Sequence, residues 1–243
     1  YKNCGVKMKG NIFYAQSGGV TPVINATASG LIEHFFKNKK YFGRFYAGKN
    51  GILGALNEEL IDITSENKME LKLLSKTPGG AFGSCRLKLK DYFKSEREFQ
   101  RIYEVFKAHN IRYFFYNGGG DSQDTTNKIS KFFKIKGYAI SCIGLPKTID
   151  NDLPITYCCP GYGSVAKYIA TSTLEASLDV KSMSQTSTKV FILEVMGRHA
   201  GWLAASSGII KTRAEDPPHI ILFPEVEFKQ TDFLRKVRGV INK

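Results

Sequence analysis

Within Pro146-Lys147-Thr148-Ile149-Asp150-Asn151-Asp152 the chain places a lysine, a hydroxyl and two carboxylates two residues apart. In extended backbone, side chains two apart point the same way, so Asp150 and Asp152 are expected to face one site, with Lys147 and Thr148 at its edge. A base, an acidic metal ligand and a fixed cation within reach of one another suit transfer of a phosphoryl group onto a hydroxyl. A polar, well-capped loop has the same composition. The apolar run from Tyr138 to Gly144 that leads into it, and the glycine-rich loops elsewhere, shift the balance towards chemistry.

Four further loops carry candidate groups. Ser17-Gly18-Gly19 offers backbone N–H groups at a helix start, where the dipole and the unpaired donors favour an anion. Gly79-Gly80-Ala81-Phe82-Gly83-Ser84-Cys85-Arg86 ends in a guanidinium that either clamps a phosphate or sits solvated on a surface turn. Gly118-Gly119-Gly120-Asp121-Ser122 puts a carboxylate at a helix N-terminus, as a cap or as a Mg²⁺ ligand. Met196-Gly197-Arg198-His199 brings a positive charge to the end of an apolar run, with His199 read as helix-terminal structure. The Walker lysine pattern and the dinucleotide fingerprint are both absent.

The elements that must hold these loops alternate. Strands are expected at Asn11 to Gln16, Arg44 to Ala47, Ile111 to Tyr116, Tyr138 to Ile143, Val190 to Val195 and Ile220 to Phe223. Helices are expected at Pro22 to Phe36, Ser95 to His109, Asp124 to Phe133, Gly163 to Leu178, from Ala200, and at Thr231 to Ile241. Leu60 to Leu74 is ambiguous. The pattern predicts an α/β fold, a Rossmann-like and mainly parallel sheet with helices on both faces. In such sheets ligands sit beyond the carboxyl ends of the strands, so the loops at Gly18/Gly19, Gly118–Ser122, Pro146–Asp152 and Met196–Arg198 are expected to border one crevice.

Composition bounds the partners. The 243 residues carry a formal net charge of +13, with the basic residues scattered, as in Lys37-Asn38-Lys39-Lys40 and Lys131 to Lys136. No aromatic–basic motif accompanies them, so a lysine-rich surface with a basic pocket for an anionic small substrate is favoured over nucleic acid. No stretch approaches the roughly 20 apolar residues of a membrane span. The start, Tyr1-Lys2-Asn3-Cys4, has neither a signal-peptide core nor a methionine, so the native N-terminus is expected to lie outside this sequence. Five cysteines without CxxC spacing point to reduced thiols in a cytoplasmic protein. The triplet Asn25-Ala26-Thr27 matches a glycosylation site but lacks a secretory context.

Taken in order, Ser17-Gly18-Gly19, TPGGAFGSCR, GGGDSQDT, PKTIDNDLP, PGYGSVAKYIA, EVMGRHAGWLA and FPEVEF resemble the phosphofructokinase family, specifically its pyrophosphate-dependent branch. The resemblance implies phosphoryl transfer from pyrophosphate to the 1-hydroxyl of fructose 6-phosphate with Mg²⁺, by a homo-oligomer (dimer or tetramer) that binds neither nucleic acid nor membrane. It implies that Asp150 accepts the hydroxyl proton, with Lys147, Asp121 and Arg86 in the catalytic set. Gly18 and Gly19 would bind the donor phosphate. Thr148, Ile149, Asp152, Lys189, Met196, Gly197 and Arg198 would contact substrate. In the family's ATP users the residue before the threonine is typically glycine, and a small glycine also stands at the position of Asp121. The resemblance thus implies that Lys147 and Asp121 would select pyrophosphate by attraction and by repulsion of a nucleotide's α-phosphate.

Three departures accompany the resemblance. Gly120 stands where many members have a metal-binding aspartate, which leaves the metal to Asp121, Asp150, donor oxygens and water. Lys189 stands where ATP users have an arginine that reaches a neighbouring subunit's substrate. The family also continues into a further strand and sugar-binding segment, so a C-terminal part is expected to be missing and activity of these residues alone is in question. The implied domains are a donor-binding part, 1–150, and a truncated sugar-phosphate-binding part, 151–243. An ATP-dependent enzyme and a catalytically silent regulatory subunit remain open as alternatives.

Overall fold

The computed structural model describes residues 9–242, apart from the side chain of Pro22; Cys4 lies outside the described residues. It forms two compact units, Tyr1–Lys147 and Thr148–Lys243. In the first, β1 (Asn11–Gln16), α1 (Pro22–Lys37), β2 (Phe45–Gly48), α2 (Leu53–Asn57) and β3 (Leu60–Asp62) are followed by α3 (Lys68–Leu73), α4 (Glu96–Ala108), β4 (Ile111–Gly118), α5 (Gly120–Ile135) and β5 (Ser141–Pro146). The sheet order is β3-β2-β1-β4-β5. β1 pairs in parallel with β2 and β4, and β4 with β5, while β3 runs antiparallel to β2.

Strict alternation along β1 feeds two cores. Ile12 and Tyr14 pack with Ala28, Ile32 and Phe35 of α1 on one face. Phe13 and Ala15 pack on the other with Phe99, Ile102 and Phe106 of α4 and with Ile129, Phe132 and Phe133 of α5. A parallel strand covered on both faces reads as a continuous apolar run, as NIFYAQ does. β1 continues into β2 on one side and has β4 on the other. The order therefore reverses between β1 and β4, and a crevice opens where the loops after those strands diverge.

Several boundaries differ from the sequence expectation. β5 begins three residues after Tyr138, whose hydroxyl donates to Phe106 O and Ile111 O, so Tyr138 plugs the bottom of the sheet before pairing with β4 starts at Ser141. Helix α5 starts at Gly120 with Gly119 as its N-cap, so Asp121 lies inside the first turn and is not the capping residue. The ambiguous stretch resolves into β3, a 3₁₀ turn at Ile63–Ser65 and α3.

The second unit contains α6 (Tyr162–Met183), α7 (Trp202–Ser206) with a 3₁₀ turn at Ser207–Ile210, and α8 (Gln230–Ile241). Ala166, Ile169, Ala170 and Leu203 are its buried apolar residues from these helices. The expected strands at Val190–Val195 and Ile220–Phe223 are irregular. Val190, Phe191, Ile192 and Leu193 are 45%, 55%, 76% and 41% exposed. A strand exists only if a neighbour takes up its backbone N–H and C=O groups, and no strand is present in this unit among the described residues. No helix among the described residues is long and apolar enough to cross a membrane.

Candidate active site

At the carboxyl ends of β1, β4 and β5 the first unit gathers a glycine pair, two cations and a helix start. Ser17-Gly18-Gly19 leaves β1 along the segment that carries Arg86. Ser17 bridges Cys85 in parallel fashion, Gly18 N–H donates to Cys85 O at 3.0 Å, and Ser84 Oγ donates to Gly18 O at 2.7 Å. Lys147 leaves β5 with its N–H on Gly118 O at 3.1 Å, and it is only 6% exposed. Its ammonium donates to Gly19 O.

Gly18 has φ +75°, a conformation that a side chain strains, and a Cβ there would stand 3.3 Å from Lys147 Nζ. A Cβ on Gly19 would stand 3.4 Å from an Arg86 guanidinium nitrogen. The glycine pair is thus bracketed by a buried ammonium and an exposed guanidinium, with backbone lying close to both. Gly118 is a second tight point, since a Cβ there would collide with Ser122 Oγ and approach Ser17 Cβ. That contact seats the start of α5 against the end of β1.

Asp121, in the first turn of α5, is paired with Lys88 at 2.7 Å, and both side chains are largely exposed. Lys128, one helical turn beyond Asp124, binds Asp124 at 2.7 Å and Asp91 at 3.3 Å. The chain from Arg86 to Asp91 is therefore held at one end by Gly18 and at the other by α5. Space beside Gly120 is open, with nothing within 4 Å of a Cβ built there. No group of three or more His, Cys, Asp or Glu side chains arranged for a metal occurs among the described residues. An exposed carboxylate beside open space suits Mg²⁺ that arrives on phosphate oxygens, which the ion accepts with one or two carboxylates and water.

Burial pushes the Tyr116 phenol, beneath Ser17 and Ser122, up to about 12, and it does the same to Tyr14. Both are neutral structural groups at ordinary pH. Burial also raises the Cys142 thiol to about 12, and Cys85, Cys142, Cys158 and Cys159 are all free.

The remaining expected residues belong to the second unit. Asp150 is partly buried, its N–H donates to Thr148 Oγ1 at 3.1 Å, and Ile149 lies in the bend between them. Asn151 has φ +58° and is buried, its amide bonded to Tyr157 O at 3.1 Å and to Cys159 N at 2.8 Å. Simple alternation across Asp150-Asn151-Asp152 therefore fails. A left-handed residue separates the carboxylates, and Asp152 is exposed whereas Asp150 is not. Lys189, Met196 and Arg198 are exposed, and Gly197 has φ +123° with the Ala200 carbonyl where a Cβ would go.

Asn25, Gln16, Ser84 and Lys88, none of them expected at the site from sequence, also hold its loops. Asn25 is buried, and its side-chain amide is hydrogen-bonded to Thr77 O and Ala81 N. That excludes glycan attachment in the folded chain.

The family pattern described as Phosphofructokinase matches residues 11–243. A relative from Halomonas elongata, named pyrophosphate–fructose 6-phosphate 1-phosphotransferase, is 56% identical over 233 residues, which are 96% of this chain and 56% of the relative. One of the same name from Xanthomonas campestris is 55% identical over 234 residues, 96% of this chain and 55% of its own length. A crystal structure described as pyrophosphate-dependent phosphofructokinase from Marinobacter aquaeolei superposes with a TM-score of 0.80 at 60% identity, covering 96% of this chain and 58% of that one. The chain thus spans little more than half the length of these relatives. The fold, the order of its loops and these matches place this chain in the phosphofructokinase family.

Proposed function

We propose that this chain carries the donor-binding and phosphoryl-transfer portion of a pyrophosphate–fructose 6-phosphate 1-phosphotransferase. The observation that carries the reading is Lys147, a buried ammonium on the Gly19 carbonyl, with Arg86 on the other side of the same glycine pair. A buried cation and an exposed one at that point suit a compact, highly charged pyrophosphate. Asp121, at the start of α5, would repel a nucleotide's α-phosphate from the same site. Relatives of 55–56% identity with that printed name support the choice of donor.

In the reaction, the sugar 1-hydroxyl oxygen forms a bond to the nearer phosphorus, and the bridging P–O bond breaks. The hydroxyl proton passes to the Asp150 carboxylate, and orthophosphate leaves. Thr148 Oγ1, accepting from Asp150 N–H, fixes the loop that carries this base. Lys147, Arg86 and the amides of Gly18 and Gly19 neutralise charge on the donor, where preorganised donors are most effective. Mg²⁺ would be held by Asp121, pyrophosphate oxygens and water, and it would spread the negative charge of the transferring group. Met196, Gly197, Arg198, Lys189 and Asp152 would serve the sugar phosphate, in a homo-oligomer.

The test is a donor comparison. The full-length protein is assayed for fructose 1,6-bisphosphate formation with pyrophosphate and with ATP. Turnover with pyrophosphate alone is expected. Turnover with ATP alone, or binding without turnover in either case, overturns the reading.

A further inference from the structure

A connected set of buried amides and one phenol lies beneath the glycine pair. Gln16, Asn25, Asn117 and Tyr14 are each at most 1% exposed. Asn117 Nδ2 donates to Tyr14 Oη at 2.9 Å and to Ile24 O at 3.2 Å. Gln16 Nε2 donates to Asn25 Oδ1 at 3.1 Å and to Tyr14 Oη at 3.3 Å. Four polar side chains on β1, β4 and α1 are costly to bury, and an apolar set would fill the same space without that cost.

Their one outward connection is specific. Asn25 Oδ1 also accepts from Ala81 N at 3.0 Å, and Asn25 Nδ2 donates to Thr77 O at 2.8 Å. One amide therefore staples both ends of Thr77-Pro78-Gly79-Gly80-Ala81. The next residue, Phe82, packs edge-on against Tyr14 with ring centroids 6.0 Å apart. Ser84 and Cys85 then bind Gly18, and Arg86 follows beside Gly19. Gln16 Oε1 has no hydrogen-bond partner among the described residues, and it lies 3.0 Å from where a Cβ on Gly80 would stand. Gln16 thus faces the loop at Gly80, while Asn25 bonds to it.

We propose that Asn25 is a positioning residue for the donor site: through Gln16 and Tyr14 it registers the 77–83 loop against β1, and so sets where Arg86 meets the glycine pair. This rests on the reading of that site as pyrophosphate-binding. Asn25 does not touch the ligand. It acts through the loop, which explains why three amides are buried where the sheet's switch point meets a glycine-rich segment with no regular structure of its own.

The test is calorimetric titration of the full-length protein with magnesium pyrophosphate, in wild type, Asn25→Ala, Arg86→Ala and the double variant. Asn25→Ala is expected to weaken binding at least about tenfold. In the Asn25→Ala background, Arg86→Ala should add less than about twofold, because a displaced loop has already forfeited the guanidinium. A purely structural Asn25 would give losses that multiply. Multiplying losses, or Asn25→Ala binding within about twofold of wild type, overturns the proposal.

Where Asn25→Ala fails to show a cooperative melt, Gly80→Ala takes its place in the same cycle, since its methyl would crowd Gln16 and Val20 from the loop side and leaves Asn25 itself in place. Brief trypsin digestion, with cleavage at Lys76 and Arg86 scored against cleavage in α5, reports whether the loop was freed. A freed loop with unchanged affinity also overturns the proposal. Absence of pyrophosphate binding in wild type is a separate result: it removes the function proposed above, and the positioning role with it.

Discussion

The ammonium of Lys147 donates to the backbone carbonyl of Gly19, although 128 residues of chain separate the two. The bond joins the end of β5 to the loop after β1 across β4, and it fixes a cation that is 6% exposed. A charge held this way does not reorganise when the donor binds. Removing one such preorganised group from a transition state costs about 3–4 kcal/mol. Lys147→Ala is therefore expected to lower kcat/KM for pyrophosphate by roughly two to three orders of magnitude. Steady-state kinetics beside a thermal melt checks this, and a folded variant within a few-fold of wild type removes Lys147 from the site.

Asp121 is held by Lys88 and not by the cap of its helix, so its carboxylate remains at the mouth of the α5 N-terminus. An anion there repels a second anion seeking the same amides. Asp121→Gly, alone or together with Lys147→Gly, is expected to let ATP bind measurably, and the single change also releases Lys88 towards the nucleotide. Titration of both variants with magnesium ATP checks the gate. No affinity for ATP in either variant counts against it.

The first unit was legible because its strands carry their own instructions. Asn11–Gln16 and Ile111–Gly118 are largely apolar on both faces, and glycine stands at or within two residues of the end of each, so strand, loop and helix start could be read in order. The burial of Phe99, Ile102, Val105 and Phe106 on α4 follows from their spacing. Apolar character told less in the second unit. Val190–Leu193 reads as a strand, but hydrophobicity states a wish for burial and does not supply the neighbour that makes a ladder. The alternation argument at Asp150 and Asp152 failed for a local reason, because Asn151 between them adopts a left-handed conformation to bond Tyr157 and Cys159. The Asn25 network was illegible for another. Polar residues inside an apolar helix face look like tolerated exceptions until the loop they bind is seen to fold back over them.

Alkaline pH should unfold the first unit before its surface charge alone would. The phenols of Tyr14 and Tyr116, ordinarily at 10.0, and the thiol of Cys142, ordinarily at 9.0, all stand at about 12 because they are buried. From about pH 9 upward the unfolded chain loses protons that the folded chain retains, so ionisation pulls towards unfolding. The stability from keeping these groups neutral is complete below about pH 9 and is lost as pH rises towards 12. Each group contributes a slope of about 1.4 kcal/mol per pH unit within its window. Denaturant melts across that range should show a steepening fall, and Tyr14→Phe should flatten it. A stability that stays level up to about pH 11 would contradict the burial of these groups.

Asp150 distinguishes a chemical role from a structural one most cleanly. Its backbone N–H is anchored on Thr148 Oγ1 at 3.1 Å, so the loop does not depend on the carboxylate's charge for that turn. An isosteric Asp150→Asn keeps the shape but cannot accept the hydroxyl proton. A positioned base contributes roughly 10²–10⁴-fold. Asp150→Asn and Asp150→Ala are thus both expected to lose turnover in that range while binding magnesium pyrophosphate as wild type does. If the group merely shaped the loop, the amide would restore most of the activity that alanine loses. Equal losses in the two variants, with unchanged donor affinity and melting, identify proton acceptance as the step that fails, whereas rescue by asparagine would transfer the role of base to another group.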